Sequence, residues 1–245
     1  MRKVAVVTGG AVRLGRSISL GLAEAGYDLL VHYNRSELAA RETVRAIEAL
    51  GRRVETVQAD LGTGEGPEAL AEAARTQFGR VDLLVNSAAS FDAADLLDVD
   101  EDRWDAVMAL NLKGPFLLVR ACADMLKACS GNVVNLVDLS AFQPWTQYPH
   151  HAVSKAGLMH LTRILARVMA PRVRVNAIAP GAVLPPDDFS EEERALEISR
   201  TPLGQIGTPE DVVRTVLFLA GAPFITGEVI VVDGGRNLTG LGRGS

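Results

Sequence analysis

The chain has 245 residues, of which 48% are hydrophobic and 22% are charged, and its formal net charge is −5. This length and composition are typical of one large α/β domain, which we expect to span residues 1–245. The acidic balance disfavours non-specific binding to nucleic acid or to anionic membranes. No apolar run is long enough to cross a bilayer, and no cleavable signal precedes the first strand, so we expect a cytoplasmic protein.

Short apolar runs alternate with longer helical patterns along the whole chain. Strands are predicted at residues 3–8, 28–33, 53–58, 81–86, 131–137, 172–178 and 228–232. Helices are predicted near residues 13–26, 36–51, 65–79, 100–128, 151–170, 190–200 and 208–221. This alternation predicts a Rossmann-type, doubly wound parallel sheet of about seven strands with helices on both faces.

A glycine-rich turn, Thr8-Gly9-Gly10-Ala11-Val12-Arg13-Leu14-Gly15, joins the first strand to the first helix. In such a unit, backbone N–H groups and the helix N-terminus receive a pyrophosphate. The turn therefore assigns Gly9, Arg13, Leu14 and Gly15 to a dinucleotide site, with Arg13 standing where a third glycine is usual. Taken alone, the glycines also fit a simple tight turn and close helix packing.

The second strand ends in His32-Tyr33-Asn34-Arg35-Ser36, about 20 residues beyond the glycine turn, where NAD-binding proteins carry an acidic residue. No Asp or Glu occurs in this segment. Arg35, with Asn34, Ser36 and His32 as further candidates, matches the 2′-phosphate of NADP instead. The alternative is that Arg35 is only a solvated residue at the start of a helix.

Further candidates follow in chain order. Asp60-Leu61 ends the third strand and either borders the adenine or caps the next turn. Asn111 lies inside a predicted helix, where Asn is unfavourable, and we expect it to hold a backbone group or a water molecule. Asp138 ends the fifth strand, and His151 and Lys155 share one helix face because they are four residues apart.

Two helices suggest self-association. Between Ala152 and Ala170, 12 of 19 residues are apolar, and residues 100–128 are also apolar over more than one stripe. A helix that covers only one sheet face needs a single stripe. We therefore expect a homo-oligomer, a dimer or a tetramer, with full burial inside a monomer as the alternative.

The irregular segment Pro180–Phe189 follows the sixth strand, on the side where ligands bind in this fold. It is either a substrate lid or a variable surface loop. The histidines of the chain lack metal-ligand spacing, so we expect no catalytic metal.

These motifs resemble the short-chain dehydrogenase/reductase family over essentially the whole chain. The chain is most similar to the pteridine reductases, which carry Arg in the glycine turn, a His-Tyr-x-Arg-Ser segment and Asp in place of a catalytic Ser, as Asp138 does here. The resemblance implies cofactor contacts from a further set of residues: Asn86, Ser87, Ala88, Lys155, Pro180, Gly181 and Val183. It also implies a substrate pocket lined by Arg13, Ser90, Phe91, Asp138, Tyr148 and His151, with Phe91 stacked on the substrate ring.

One departure concerns the proton donor. The family carries a Tyr four residues before the Lys, where this chain has His151, and Tyr148 does not share that turn. An imidazolium donates a proton near neutral pH and a neutral imidazole accepts one. Lys155 disfavours the imidazolium and Asp138 favours it, and the sequence leaves the balance open. Our hypothesis is that Asp138 and His151 form the donor pair while Lys155 holds the ribose.

Three functions fit the sequence. The first is an NADPH-dependent reductase of a pterin-like heterocycle, in which Phe91 stacks on the ring and Arg13 binds its polar edge. The second is an NADP(H)-dependent oxidoreductase of a carbonyl or alcohol, for which neutral His151 is a suitable general base. The third is a nucleotide-binding protein without turnover. All three involve a small-molecule ligand and neither nucleic acid nor membrane.

Overall fold

The computed structural model describes residues 2–185 and 189–239. Its parallel sheet contains seven strands: β1 (Val4–Val7), β2 (Asp28–Tyr33), β3 (Val54–Gln58), β4 (Leu83–Asn86), β5 (Asn132–Leu136), β6 (Arg174–Pro180) and β7 (Val229–Val232). The strand order is β3-β2-β1-β4-β5-β6-β7. The predicted doubly wound sheet is confirmed, and each strand lies within two residues of its predicted bounds.

The helices cover both faces of this sheet. They are α1 (Arg13–Glu24), α2 (Glu37–Ala49), α3 (Glu65–Gln77), α4 (Glu101–Met108), α5 (Gly114–Ala121), α6 (Ala123–Ala128), α7 (Pro149–Met169), α8 (Glu191–Arg200) and α9 (Pro209–Gly221). One core packs α1, α2 and α9 against the sheet through Ile18, Ile47 and Val216. The other packs α3, α5 and α7 against the opposite face through Leu70 and Leu118. Among the described helices, none has the length and apolar character that a membrane crossing requires.

The predicted continuous helix over 100–128 is wrong, because the structure divides it into α4, α5 and α6. A π-helical turn, Ala109–Lys113, separates α4 from α5. Pro115 has no N–H to donate to the carbonyl group four residues earlier, which loosens the helix at this point. Gly114 meets a second constraint, since a Cβ there would lie 2.7 Å from the Leu61 carbonyl oxygen. The wider turn carries Asn111 at its centre.

The strand order reverses around β1, whose neighbours are β2 and β4. In a doubly wound sheet, a crevice opens where the order reverses, beyond the carboxyl ends of the strands. The segments that follow β1, β2, β4, β5 and β6 all reach this edge of the sheet. The fold therefore brings the predicted nucleotide turn and the predicted reactive side chains to one place.

Candidate active site

A cavity of about 1080 Å³ occupies this edge of the sheet. Most predicted site residues line it: Gly9, Arg13, Leu14, Gly15, His32, Tyr33, Asn34, Arg35, Ser36, Leu61, Ser87, Ala88, Phe91, Asp138, Tyr148, His151, Lys155, Pro180, Gly181 and Val183. Four others, Asp60, Asn86, Ser90 and Asn111, are absent from the lining. The cavity thus joins the predicted cofactor turn to the predicted reaction centre.

The glycine turn has the geometry of an anion cradle. Gly9 has φ +62°, and a Cβ on Gly15 would lie 2.1 Å from the Gly9 carbonyl oxygen. Helix α1 begins without a side-chain cap and without an acidic residue in its first turn, so its N-terminal N–H groups and dipole are available to an anion. Arg13 has φ +48°, which retains the left-handed backbone at a position where glycine is usual. Its guanidinium donates a 2.8 Å hydrogen bond to the Leu184 carbonyl oxygen.

The structure corrects the expectation that His32 binds a phosphate. The Gly9 N–H donates to its Nδ1 at 3.0 Å, and its Nε2 donates to the Ala59 carbonyl oxygen at 3.0 Å. Both ring nitrogens are therefore used by the backbone. Burial lowers the pKa of His32, and the opposing effects of the Ala59 hydrogen bond and the Asp60 charge are smaller. His32 is a neutral side chain that fastens the glycine turn to β2.

The segment after β2 remains a candidate for nucleotide binding. Arg35 is exposed, lines the cavity and forms no ion pair with any residue that the structure describes. Ser36 starts α2 without using its hydroxyl as a cap. The Asn34 carbonyl oxygen accepts a 2.9 Å hydrogen bond from Gln58, which holds the turn in place. Asp60 accepts a 2.9 Å hydrogen bond from the Gly62 N–H, and it therefore caps the next turn.

The reaction centre consists of Asp138 and His151 in contact. His151 Nε2 lies 2.7 Å from Asp138 Oδ2, and His151 Nδ1 lies 2.9 Å from the Ser90 carbonyl oxygen. The His151 side chain is only 1% exposed and that of Asp138 is 19% exposed. Each ring nitrogen thus faces an oxygen acceptor, and only the doubly protonated ring donates to both. Asn111 Nδ2 also lies 3.3 Å from His151 Nδ1, and Nε2 is the ring nitrogen that faces the cavity-lining Asp138.

Asp138 is held as an anion. Its Oδ1 accepts a 2.8 Å hydrogen bond from the Ser140 N–H and a second, short one from the Ser140 hydroxyl. Burial raises the pKa of Asp138, but the hydrogen bond from His151, the charge of Lys155 and the Ser140 hydroxyl outweigh it and leave the pKa below its ordinary value. The carboxylate therefore stabilises positive charge on His151.

Asn111 holds a backbone group, as the sequence analysis expected. Its Oδ1 accepts a 2.8 Å hydrogen bond from the Ser90 N–H, and its Nδ2 donates to the Ser90 carbonyl oxygen at 3.0 Å and to the Ser154 hydroxyl at 3.1 Å. Asn111 thereby fixes the carbonyl group that His151 faces. Ser90 and Asn111 position His151 through these hydrogen bonds, and neither residue lines the cavity.

Lys155 is almost fully buried and donates a 2.7 Å hydrogen bond to the Leu136 carbonyl oxygen. Burial lowers the pKa of Lys155, and the nearby Asp138 charge opposes this with a smaller effect. Asn86 is also buried, and it donates to Asn135 at 2.8 Å inside the sheet. Its side chain therefore braces neighbouring strands.

Three aromatic rings form a wall beside His151. Phe91 lies with its ring centroid 4.4 Å from that of His151 and 4.2 Å from that of Tyr148. Trp145 meets Phe91 edge to face at 6.3 Å. Phe91 is 56% exposed, so it faces the cavity and not the core. Within the predicted lid segment, 180–185 and Phe189 line the cavity, and residues 186–188 lie outside the described residues.

The sequence analysis missed several cavity residues. Trp145 and Gln143 follow Asp138 closely and are recognisable only once the 139–148 segment is seen to border the cavity. Glu197 and Arg236 are far apart in the chain and also line the cavity. Ser140 was detectable in principle, because a hydroxyl two residues after an Asp is a common turn partner.

Comparison with known proteins shows which family this chain resembles. A family model described as Enoyl-(Acyl carrier protein) reductase matches residues 10–237. The chain is 38% identical over 242 residues to 2-dehydro-3-deoxy-D-gluconate 5-dehydrogenase of Escherichia coli strain K12, covering 95% of this chain and 94% of that protein. It is 36% identical over 241 residues to the 3-oxoacyl-(acyl-carrier-protein) reductase FabG of Staphylococcus aureus strain Mu50, covering 96% and 98% of the two chains.

Among solved structures, a blue fluorescent protein from a metagenomic library in complex with NADPH aligns with a TM-score of 0.88 and 32% identity, covering 96% of this chain and 97% of that chain. None of these three proteins is a pteridine reductase.

Proposed function

Because this chain belongs to the short-chain dehydrogenase/reductase family, we propose that it is an NADP(H)-dependent oxidoreductase that interconverts an alcohol and its carbonyl compound. The observation that carries the proposal is the 2.7 Å contact between His151 Nε2 and Asp138 Oδ2 in the cavity that contains the glycine turn. Hydride transfer to or from a carbon–oxygen bond needs a group that moves a proton at the oxygen. The Asp138–His151 pair is that group.

The residues present fit a dinucleotide. The uncapped start of α1 and the close packing of Gly9 and Gly15 leave room for a pyrophosphate and for no side chain. Arg13 and Arg35 supply positive charge, and the absence of an acidic residue after β2 favours NADP(H) over NAD(H). When bound, the nicotinamide ring supplies or accepts the hydride. Lys155 would hold the ribose, in keeping with the family resemblance.

The Asp138–His151 pair moves the proton, and Asp138 is its more exposed member. In alcohol oxidation, the substrate hydroxyl gives its proton to the Asp138 carboxylate, which passes it across the 2.7 Å contact to Nε2 of the neutral ring. The imidazolium that forms is stabilised by the Asp138 carboxylate. In carbonyl reduction, the proton returns to the substrate oxygen by the same path.

The pterin interpretation has less support. It requires Phe91 and Tyr148 in one cavity, and both are there. The three known proteins compared with this chain are not pteridine reductases, however, and none of their names mentions a pterin. The Arg13 guanidinium is also engaged by the Leu184 carbonyl oxygen.

The test is a substrate panel with matched variants. Purified protein is given NADP⁺ with hydroxy acids, polyols, hydroxysteroids and hydroxyacyl thioesters, and NADPH with the matching carbonyl compounds and dihydrobiopterin. We expect His151→Phe to abolish turnover and to leave NADPH binding intact. His160→Phe, at an exposed position on the same helix, is the control.

Each other result has a defined meaning. Unchanged turnover in His151→Phe removes His151 from the mechanism. NADPH binding without turnover of any compound supports the non-catalytic alternative, and turnover of dihydrobiopterin alone supports the pterin interpretation.

A further inference from the structure

A buried histidine beside the reaction centre takes no part in the proposed proton transfer. His150 precedes His151 in α7, and its side chain is fully buried. Its Nε2 lies 3.2 Å from Oδ2 of Asp92, and its Nδ1 has no hydrogen-bond partner among the residues that the structure describes. A proton on Nδ1 would be buried without an acceptor, which is costly. The ring therefore supplies one hydrogen bond, which Nε2 donates to Asp92.

Asp92 is also held from a second direction. Arg103 of α4 donates from its Nε to Asp92 Oδ2 at 3.0 Å, and a further guanidinium nitrogen lies 2.8 Å from the same carboxylate oxygen. The same guanidinium donates to the Ala93 carbonyl oxygen at 3.1 Å. The hydrogen bond from Arg103 lowers the pKa of Asp92 and outweighs the opposing effect of burial, and the hydrogen bond from His150 lowers it further. The Asp92 carboxylate therefore connects α4 with α7.

The chain before and after this carboxylate lies along the start of α7. The Ser90 carbonyl oxygen faces His151 Nδ1 at 2.9 Å, and the Ala94 N–H donates to the Gln147 carbonyl oxygen at 3.0 Å. Residues 90–94, which we call the tethered segment, belong to no helix or strand. Since no regular hydrogen-bond ladder supports this segment, its individual contacts with α4 and α7 determine where it lies.

Phe91 is the side chain of the tethered segment that lines the cavity. Its ring is 56% exposed and lies with its centroid 4.4 Å from that of His151. A ring this exposed gains little from burial, so the residues on each side of it must fix its position. Asn111 holds both backbone groups of Ser90 on one side, and the carboxylate of Asp92 is the anchor on the other.

We propose that His150 is a positioning residue, which acts through Asp92 to hold the Phe91 ring against His151 in the substrate cavity. Without this anchor the ring would move away from the reaction centre, so substrate binding would weaken while the Asp138–His151 pair stays in place. The effect on substrate rests on the proposed function, because it takes this cavity as the substrate site. The position of the ring does not depend on that function.

Nuclear magnetic resonance of the histidine rings tests the position of Phe91 directly, because a neighbouring aromatic ring shifts the proton resonances of His151. The chain has only four histidines, and His151→Phe identifies the signals of that ring. We expect Phe91→Leu to shift these signals, and Asp92→Ala and His150→Leu to shift them in the same direction. His150→Gln should leave them close to their wild-type positions, because its amide still offers an N–H donor.

The kinetic test uses any substrate that the wild-type protein turns over. His150→Leu and Asp92→Ala should each raise the KM for that substrate at least about threefold, lower kcat by a smaller factor and leave the KM for NADP⁺ unchanged. Because both changes remove the same hydrogen bond, the double variant should be no more impaired than Asp92→Ala. Asp95→Ala and His160→Leu, at exposed positions beside the tethered segment and on α7, are the matched controls.

Unchanged His151 resonances in Asp92→Ala overturn the proposal, and this variant decides the matter should His150→Leu fail to fold, since its side chain is partly exposed. A double variant in which the two effects add also overturns it. So does a His150→Gln variant as impaired as His150→Leu, because the ring would then matter through its packing alone. The resonances require no turnover, so an inactive wild-type protein would count against the oxidoreductase proposal and not against this one.

Discussion

Replacing Asp138 with Asn tests the proposed proton path most directly. The Asn side chain has nearly the same shape, and its oxygen still accepts the hydrogen bonds that Ser140 donates to Oδ1. Its amide group then takes the place of Oδ2, which faces His151 Nε2 at 2.7 Å in the native protein. An amide N–H cannot accept the Nε2 proton, so the imidazolium loses both a hydrogen bond and a neighbouring negative charge.

The size of the effect follows from that contact. A hydrogen bond that involves a charged group contributes about 1.5–3 kcal/mol. Since about 1.4 kcal/mol corresponds to a tenfold change in rate, kcat/KM for alcohol oxidation should fall roughly 10- to 150-fold. The KM for NADP⁺ should change little, because Asp138 supports the reacting oxygen and not the dinucleotide.

The assay is the pH dependence of alcohol oxidation by Asp138→Asn and by Asp98→Asn, an exposed control. Activity should fall in Asp138→Asn only, because this variant alone loses the carboxylate that faces His151. Since the folded-state pKa of Asp138 lies below its ordinary value, the stability that its ionisation contributes is present above about pH 4 and is lost only as the pH falls further. Unfolding therefore does not confound the assay near neutral pH. A change of less than about twofold in kcat/KM would refute the reasoning.

Three further predictions concern other parts of the molecule. Because burial holds the pKa of His32 below its ordinary value, the unfolded chain takes up the extra proton, and the free energy of unfolding should fall as the pH drops below about 6.5. Urea titrations of the wild-type protein and of His32→Asn should show this dependence only when His32 is present. Arg35→Ala should raise the KM for NADP⁺ about tenfold or more while leaving that for NAD⁺ unchanged, and an equal effect on both would contradict the 2′-phosphate assignment. Helix α7 exposes Val153, Ile164 and Val168, so we expect a homo-oligomer that Val168→Glu weakens in light-scattering measurements. A monomeric wild-type protein would contradict this expectation.

The fold was accessible from the sequence because its strands are short, apolar and separated by amphipathic helices. The central runs Val4–Val7 and Leu83–Asn86 are buried on both sides, which leaves no polar alternation to confuse with a surface strand. The break within 100–128 was not predicted, because the apolar pattern continues through it. Only the contact of Gly114 with the preceding segment and the missing N–H of Pro115 make the break necessary.

Part of the candidate site could also be predicted from the sequence, for a similar reason. Motif spacing placed Asp138, His151 and Lys155 together, because strand ends and helix turns obey fixed geometry. Motif spacing did not show that both ring nitrogens of His32 form hydrogen bonds with backbone groups. Motif spacing also did not predict the contact between Glu197 and Arg236. These residues are 39 positions apart, and their contact depends on where α8 lies beside the cavity.

The reversal of strand order around β1 also separates two groups of cavity residues along the amino-acid sequence. The side chain assigned to choosing between nucleotides, Arg35, precedes β3, whereas Trp145, Glu197 and Arg236, which border the far end of the cavity, all follow β5. A crossover or gene fusion between β3 and β5 would therefore exchange substrate preference without altering coenzyme preference. We expect a chimera joined at that boundary to keep the coenzyme preference of one parent and to take the substrate preference of the other.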